Sequence, residues 1–198
     1  MLGDWLIVPS SSKDRLFIAL LPPEDVQEVA NQIKQHFADI YNSRAAQTSP
    51  PHITLQPPFD WEQSDLPRLE EHLEIFARNQ YPIPVTLQGF GSFPPRVIFI
   101  QPLKTPELMA IQKTLMVNLE QSLKIVHQAS KNRPFSPHVT VAFRDLSRHN
   151  FRLAWEEFAS QELNFSFTVN QLTLLKHNGH CWQIHREFPF AIPDYLKT

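Results

Sequence analysis

The sequence predicts an α+β protein built from two similar halves. Three observations predict it: extended apolar runs alternate with amphipathic helical ones, a Pro-His-x-Thr segment occurs once in each half, and the chain closes on two extended runs separated by Asn178-Gly179. The expected architecture is bilobal. Two pseudo-symmetric lobes carry antiparallel sheets that face a central cleft, with helices outside, and residues 1–198 form one domain of two lobes.

Taken in order, the apolar patch Trp5-Leu6-Ile7-Val8 lacks the basic flank and the length of a secretory signal and reads as a local extension. Residues 15–21 read as a buried strand. Pro22-Pro23 ends it and opens a helix with Glu24 and Asp25 in its first turn, and Val26, Val29, Ala30, Ile33 and Phe37 recur at helical spacing to about Tyr41. The polar loop 42–51 ends in two prolines and delivers residues 52–56 as a short strand. Leu66, Leu69, Leu73 and Phe76 mark a helix over 64–79, with Ser64 or Asp65 as its cap. Residues 83–90 and 96–101 then form a hairpin around 91–95.

Thr105-Pro106-Glu107 opens a helix that carries Leu108, Ile111, Leu115 and Leu119 on one side and ends near Leu123. A second proline-bearing loop, 132–137, feeds the strand 138–142, and a helix over about 147–160 follows. Residues 163–176 and 181–188 read as strands joined at Asn178-Gly179 by a type I′ turn. The apolar positions Phe165, Phe167 and Val169 have the opposite parity to Leu172 and Leu174, so a bulge or break is expected near Asn170-Gln171.

Composition excludes several function classes. A 42% hydrophobic and 19% charged chain is an ordinary globular one. Net charge −2 provides no basic field for long duplex nucleic acid, so a small ligand or a nucleic-acid end fits better. Cys181 is the single cysteine, which removes an internal disulfide and a four-cysteine zinc cage and suits a reducing cytoplasm. The 4 glycines, Gly3, Gly89, Gly91 and Gly179, do not make a phosphate-cradling P-loop or dinucleotide loop. No run reaches transmembrane length, so no membrane partner is expected.

Pro51-His52-Ile53-Thr54-Leu55 and Pro137-His138-Val139-Thr140-Val141 match position by position in residue class. On a strand, residues i and i+2 share a face, so each histidine lies beside its threonine while Ile53, Leu55, Val139 and Val141 turn to the core. One such segment alone is, by default, a strand histidine. Recurrence with matching flanks favours function instead. Displacement at a phosphodiester phosphorus needs a base for the attacking oxygen and an acid for the departing one, and two imidazoles can supply both near neutral pH. Hydroxyls two residues away can hydrogen-bond the non-bridging oxygens.

The paired motifs, the opening Arg15-Leu-Phe-Ile-Ala-Leu20, the segment from Arg133 to Thr140 and the chain length resemble the two-histidine phosphoesterases, the bacterial 2′-5′ RNA ligase and cyclic phosphodiesterase group. The resemblance covers nearly the whole chain. It implies one His-x-Thr strand per lobe and metal-independent action on RNA 2′,3′-cyclic phosphates or small cyclic nucleotides. It also implies that His52 and His138 are acid and base and that Thr54 and Thr140 bind phosphate. The same pair run backwards would form a 2′-5′ link.

Many members carry an arginine just after the second motif. Arg144 is the nearest candidate, one residue late, so that a regular strand would turn it to the other face. Arg133 competes for the same clamp. Pro57-Pro58-Phe59, standing where many members have a Phe-Leu-Gly type sequence, points to a divergent branch. The expected partner is an RNA end or a small cyclic nucleotide, with no cofactor, no metal and no protein partner, for a monomer in the cytoplasm. The alternative is a non-catalytic RNA-end or nucleotide-binding module that keeps the pocket.

Other residues compete for a role. His177, His180, Cys181 and His185 are possible zinc ligands, but neighbours on a strand project to opposite faces, so a turn-flanking histidine pair is the preferred reading over a zinc hydrolase. Phe59 and Trp61 lie close enough to the first motif to stack on a base. Glu70-Glu71 and Glu156-Glu157 read as solvated helix faces, as do His36, His72 and His149.

Overall fold

The computed structural model describes residues 12–131 and 133–192; the apolar patch at Trp5 to Val8 lies outside them. In chain order the elements are β1 (Lys13–Leu20), α1 (Glu24–Ile40), β2 (Ile53–Glu62), α2 (Leu66–Arg78), β3 (Ile83–Phe93), β4 (Val97–Pro102), α3 (Pro106–Leu123), the short α4 (Gln128–Lys131), β5 (Val139–Ala142), α5 (Arg148–Phe158), β6 (Asn164–Val169), β7 (Gln171–His177) and β8 (Trp182–Pro189). Thr105 Oγ1 accepts the Leu108 N–H at 3.3 Å and Ser147 Oγ the Asn150 N–H at 3.1 Å, capping α3 and α5. Asp65 precedes α2 without capping it; its carboxylate takes Arg68 at 3.0 Å instead.

The strands form one continuous antiparallel sheet in the order β6-β3-β4-β5-β2-β1-β7-β8. Where the repeat led to the expectation of two sheets facing a cleft, there is one, whose halves β8-β7-β1-β2 and β5-β4-β3-β6 join where Ile53 pairs with Val139. The repeating unit is β1-α1-β2-α2 and β4-α3-β5-α5, so the second copy begins at β4 rather than after Thr105. The parity change at Asn170 is a break between strands. There the chain leaves the outer edge of one half, where β6 pairs with β3, and enters the other, where β7 pairs with β1.

One face of the sheet is covered by helices. Leu16, Ile18 and Leu20 of β1, Ile53 and Leu55 of β2, Ile98 and Ile100 of β4 and Val139 and Val141 of β5 pack there against Leu69, Leu73, Leu108, Leu115 and Leu119. Each such burial contributes about 1.5–3 kcal/mol. Helix α1 packs against β5 and α3 against β2, so each crosses to the opposite half and ties the halves together. Phe17, Ala19 and Leu175 form a small separate cluster with Leu21 and Trp182. Successive β1 residues alternate between the two clusters, which puts this one on the other face, where the sheet is open.

Several side chains expected to be solvated are paired. His36 lies 3.1 Å from Glu157, which also accepts the Tyr41 hydroxyl, joining α1 to α5. Glu70 takes His185 at 2.7 Å and Arg186 at 2.8 Å, fastening α2 to β8. No described helix is long and apolar enough to cross a membrane.

Candidate active site

The join between the half-sheets builds the site. Around an antiparallel pair of Ile53 and Val139, the residue after one faces the residue before the other. His52 is thereby set opposite Thr140, and Thr54 opposite His138, on the face away from the helices. Each imidazole thus has one threonine along its own strand and another across the join. The four side chains line one cleft of about 690 Å³.

Both rings are held the same way. His52 Nδ1 lies 2.7 Å from the Pro50 carbonyl and His138 Nδ1 lies 2.8 Å from the Ser136 carbonyl. A carbonyl only accepts, so each Nδ1 carries a proton and each Nε2 is left for the cleft. Phe17 on β1 packs on His52 at 4.7 Å, and Phe99 on β4 packs near His138 at 5.5 Å. Gly91, the cross-strand partner of Phe99, makes room: a Cβ there would stand 2.4 Å from the Phe99 ring. Burial lowers both imidazole pKa values, that of His52 to about 4, with Lys34 and His138 adding to the depression at His52.

The cleft favours anions. None of the residues lining it is acidic, although the chain as a whole has net charge −2, and Arg15, Arg144, His177 and His180 join the two motif histidines. Arg144 lines it from beyond the end of β5, at φ 59°; it lies an even number of residues after His138 and Thr140, so the placement on the other face expected for it does not hold. The turn is pinned by Asp145, whose carboxylate accepts the Ser43 hydroxyl and the Arg44 N–H, both at 2.7 Å. Arg133 instead lines an adjoining pocket of about 290 Å³ that shares Thr54, Phe93 and His138 with the cleft.

Phe59 and Trp61 do not line the cleft. They share the parity of Ile53 and Leu55 along β2, and the two register slips around Pro57-Pro58 leave that parity unchanged, so both aromatic rings pack on the core beneath the helices. Trp61 Nε1 donates to the Asp65 carbonyl at 2.9 Å. The aromatic wall of the cleft is Phe17 and Trp182, with ring centroids 4.6 Å apart, and His177, 4.9 Å from Trp182.

His177 and His180 enter the cleft through a connection that is not a type I′ turn. Asn178-Gly179-His180-Cys181 is a four-residue loop in which Gly179 has φ 98°, and Asn178 Oδ1 accepts the N–H groups of His180 and Cys181, each at 2.9 Å. His177 Nδ1 accepts the Gly179 N–H at 3.1 Å, so its Nε2 carries the proton, the reverse of the motif histidines. His185 is engaged with Glu70 on the helix side, away from His177 and His180, and among the described residues no three potential ligands cluster around one point. Alternation along β8 could not have found this wall, because Trp182 and Phe188 share parity yet lie in different clusters across a register shift in the β7–β8 pair.

An α+β fold whose sheet brings two His-x-Thr segments together at one cleft defines a two-histidine phosphoesterase. The chain belongs to the 2′-5′ RNA ligase superfamily, whose family model matches residues 13–180. A Geobacillus kaustophilus protein called "Putative phosphoesterase" is 27% identical over 175 residues, covering 86% of this chain and 93% of its own length. Among solved structures, Escherichia coli LigT crystallised with 3′-AMP has a TM-score of 0.65 at 21% identity, covering 91% of this chain and 100% of its own. A Thermus thermophilus protein has a TM-score of 0.63 at 21% identity, covering 89% and 97%. At that identity the structural likeness concerns the fold.

Proposed function

We propose that this protein is a metal-independent phosphodiesterase that opens 2′,3′-cyclic phosphates on RNA ends or small cyclic nucleotides by acid–base catalysis between His52 and His138. The observation that carries the reading is the matched pair of imidazoles, each with Nδ1–H tied to its own chain and Nε2 left for the cleft, on either side of the Ile53–Val139 join. With the cyclic phosphate between them, one neutral Nε2 takes a proton from water as its oxygen attacks phosphorus. The P–O bond to one ribose oxygen breaks, and the other ring, as imidazolium, gives that oxygen its proton. Thr54 and Thr140 donate to the non-bridging oxygens, and Arg144 offsets their charge. Burial favours the neutral form of both rings, and an arriving anion favours protonation of one. Run in reverse, a 5′-hydroxyl in place of water forms a 2′-5′ link.

Lack of acidic lining in the cleft supports an anionic substrate, and LigT's crystallisation with 3′-AMP supports a nucleotide. Incubation with a panel of 2′,3′- and 3′,5′-cyclic nucleotides and a cyclic-phosphate-ended oligonucleotide, followed by phosphorus NMR, tests it. The expected result is ring opening of the 2′,3′-cyclic members to one monoester, undiminished by chelator. Binding without turnover anywhere between pH 5 and 9 would favour the non-catalytic module instead.

A further inference from the structure

Helix α1 buries Val26, Ala30, Phe37 and Ala38, and in the same stripe it buries Lys34, only 2% exposed. A buried ammonium is costly unless something compensates it. Among the described residues no carboxylate lies within ion-pair distance of Lys34; its hydrogen bond is to the Ser49 carbonyl, at 2.8 Å. Ser49 lines the cleft and begins the Ser49-Pro50-Pro51 turn, and the next carbonyl, that of Pro50, is the one that receives His52 Nδ1–H. Helix, turn and imidazole are therefore linked in one chain of contacts. On the other half the Ser136 carbonyl holds His138 in the same way, and none of the lysines whose side chains are described bonds to that loop.

We infer that Lys34 is a positioning residue that makes the two histidines unequal: its buried ammonium holds the turn that orients His52 and commits that ring, rather than His138, to accepting the proton. The inference rests on the acid–base reading above. The amine does so in two ways. It fixes the turn through Ser49, and it sets a positive charge beneath the imidazole that opposes a second one on the ring. Burial brings the Lys34 pKa down to about 8, so the amine is largely charged at neutral pH. The other charged or titratable groups facing His52 are His138 from β5, Arg15 from β1, Arg144 beyond β5, and His177 and His180 from the β7–β8 connection; they are common to wild type and variant.

Histidine Cε1–H titration by NMR on the intact ligand-free protein tests this without relying on activity. In the wild type, the His52 resonance should show a second inflection near pH 8 as Lys34 loses its proton, larger than any at His138. In Lys34→Met, whose apolar chain fits the same space, that inflection should vanish and the His52 titration should move up by roughly one pH unit, with His138 moving much less. The acidic limb of the kcat/KM profile on a 2′,3′-cyclic nucleotide should move up with it, lowering kcat/KM several-fold at pH 5 and little at pH 8. A wild-type His52 curve without the inflection, or equal movement of both rings in the variant, would overturn the assignment. Failure of the variant to fold leaves the wild-type titration to decide. Failure of the phosphodiesterase reading would instead be seen as no turnover in the wild type, whatever the titrations give.

Discussion

The strand that presents His52 and the strand that presents His138 share their inner construction and differ in everything that surrounds it. Both tie Nδ1 to the carbonyl two residues upstream and pack the ring near a phenylalanine of the neighbouring strand. But β2 runs on for ten residues through the Pro57-Pro58 bulge with a buried lysine behind its histidine, whereas β5 stops after four and turns left-handed at Arg144. The matched Pro-His-x-Thr sequences account for the shared part. On the proposed reading, the differing parts let one imidazole serve as base and its twin as acid on a substrate that has no such symmetry.

Four outcomes would break or sharpen that comparison. The largest is loss of either ring: His52→Ala and His138→Ala should each lower kcat/KM on a 2′,3′-cyclic nucleotide by about 10²–10⁴-fold. An effect in only one of them would end the idea of a working pair. Next, Thr54→Val and Thr140→Val, near-isosteric, should each cost about tenfold to a hundredfold, chiefly in kcat, with the melting temperature little changed. Unequal losses would reveal which threonine faces the oxygen that gains more charge.

A smaller effect is expected at Gly91, which serves the second half alone. Gly91→Ala drives a Cβ to 2.4 Å from the Phe99 ring, so Phe99, which packs near His138, must shift. Overpacking of this kind costs about 1–3 kcal/mol, and denaturant unfolding together with the His138 NMR titration should register both consequences. An unshifted His138 resonance would mean that Phe99 yields elsewhere.

The smallest effect concerns pH. Because the folded chain holds both imidazoles below their ordinary value, the unfolded chain binds more protons as pH falls below about 6.5. The stability of the neutral rings is thus present above about 6.5 and lost as pH drops through the folded value, about 4 for His52. Melting temperature should fall over that window, and His52→Gln should flatten the fall more than His138→Gln.

Much of the fold and the central four residues were legible because their signals are local. Helical spacing in α1, the Thr105-Pro106 start of α3 and the parity change at Asn170 each depend on a few neighbouring residues, and each corresponds to the structure. Phe59 and Trp61 share the parity of Ile53 and Leu55, so alternation along β2 pointed them to the core, and closeness in sequence to the first motif did not bring them to the cleft. Arg144 lies past the end of β5 in a left-handed conformation, where strand alternation no longer assigns a face. Lys34 was overlooked among the apolar positions of α1, although its place four residues after Ala30 puts it in the buried stripe.

By itself the sequence determined that two like segments each offer an imidazole and a hydroxyl on an apolar-anchored strand, since i and i+2 share a face wherever a strand forms. Only the tertiary structure decided that the segments meet at Ile53 and Val139, so that each histidine faces the other's threonine. It also decided that Arg144, Trp182 and His177 close around them while Lys34 lies beneath one alone. Strand pairing and helix placement join residues far apart in the chain, and their register is set by packing of the whole core, which no local pattern contains.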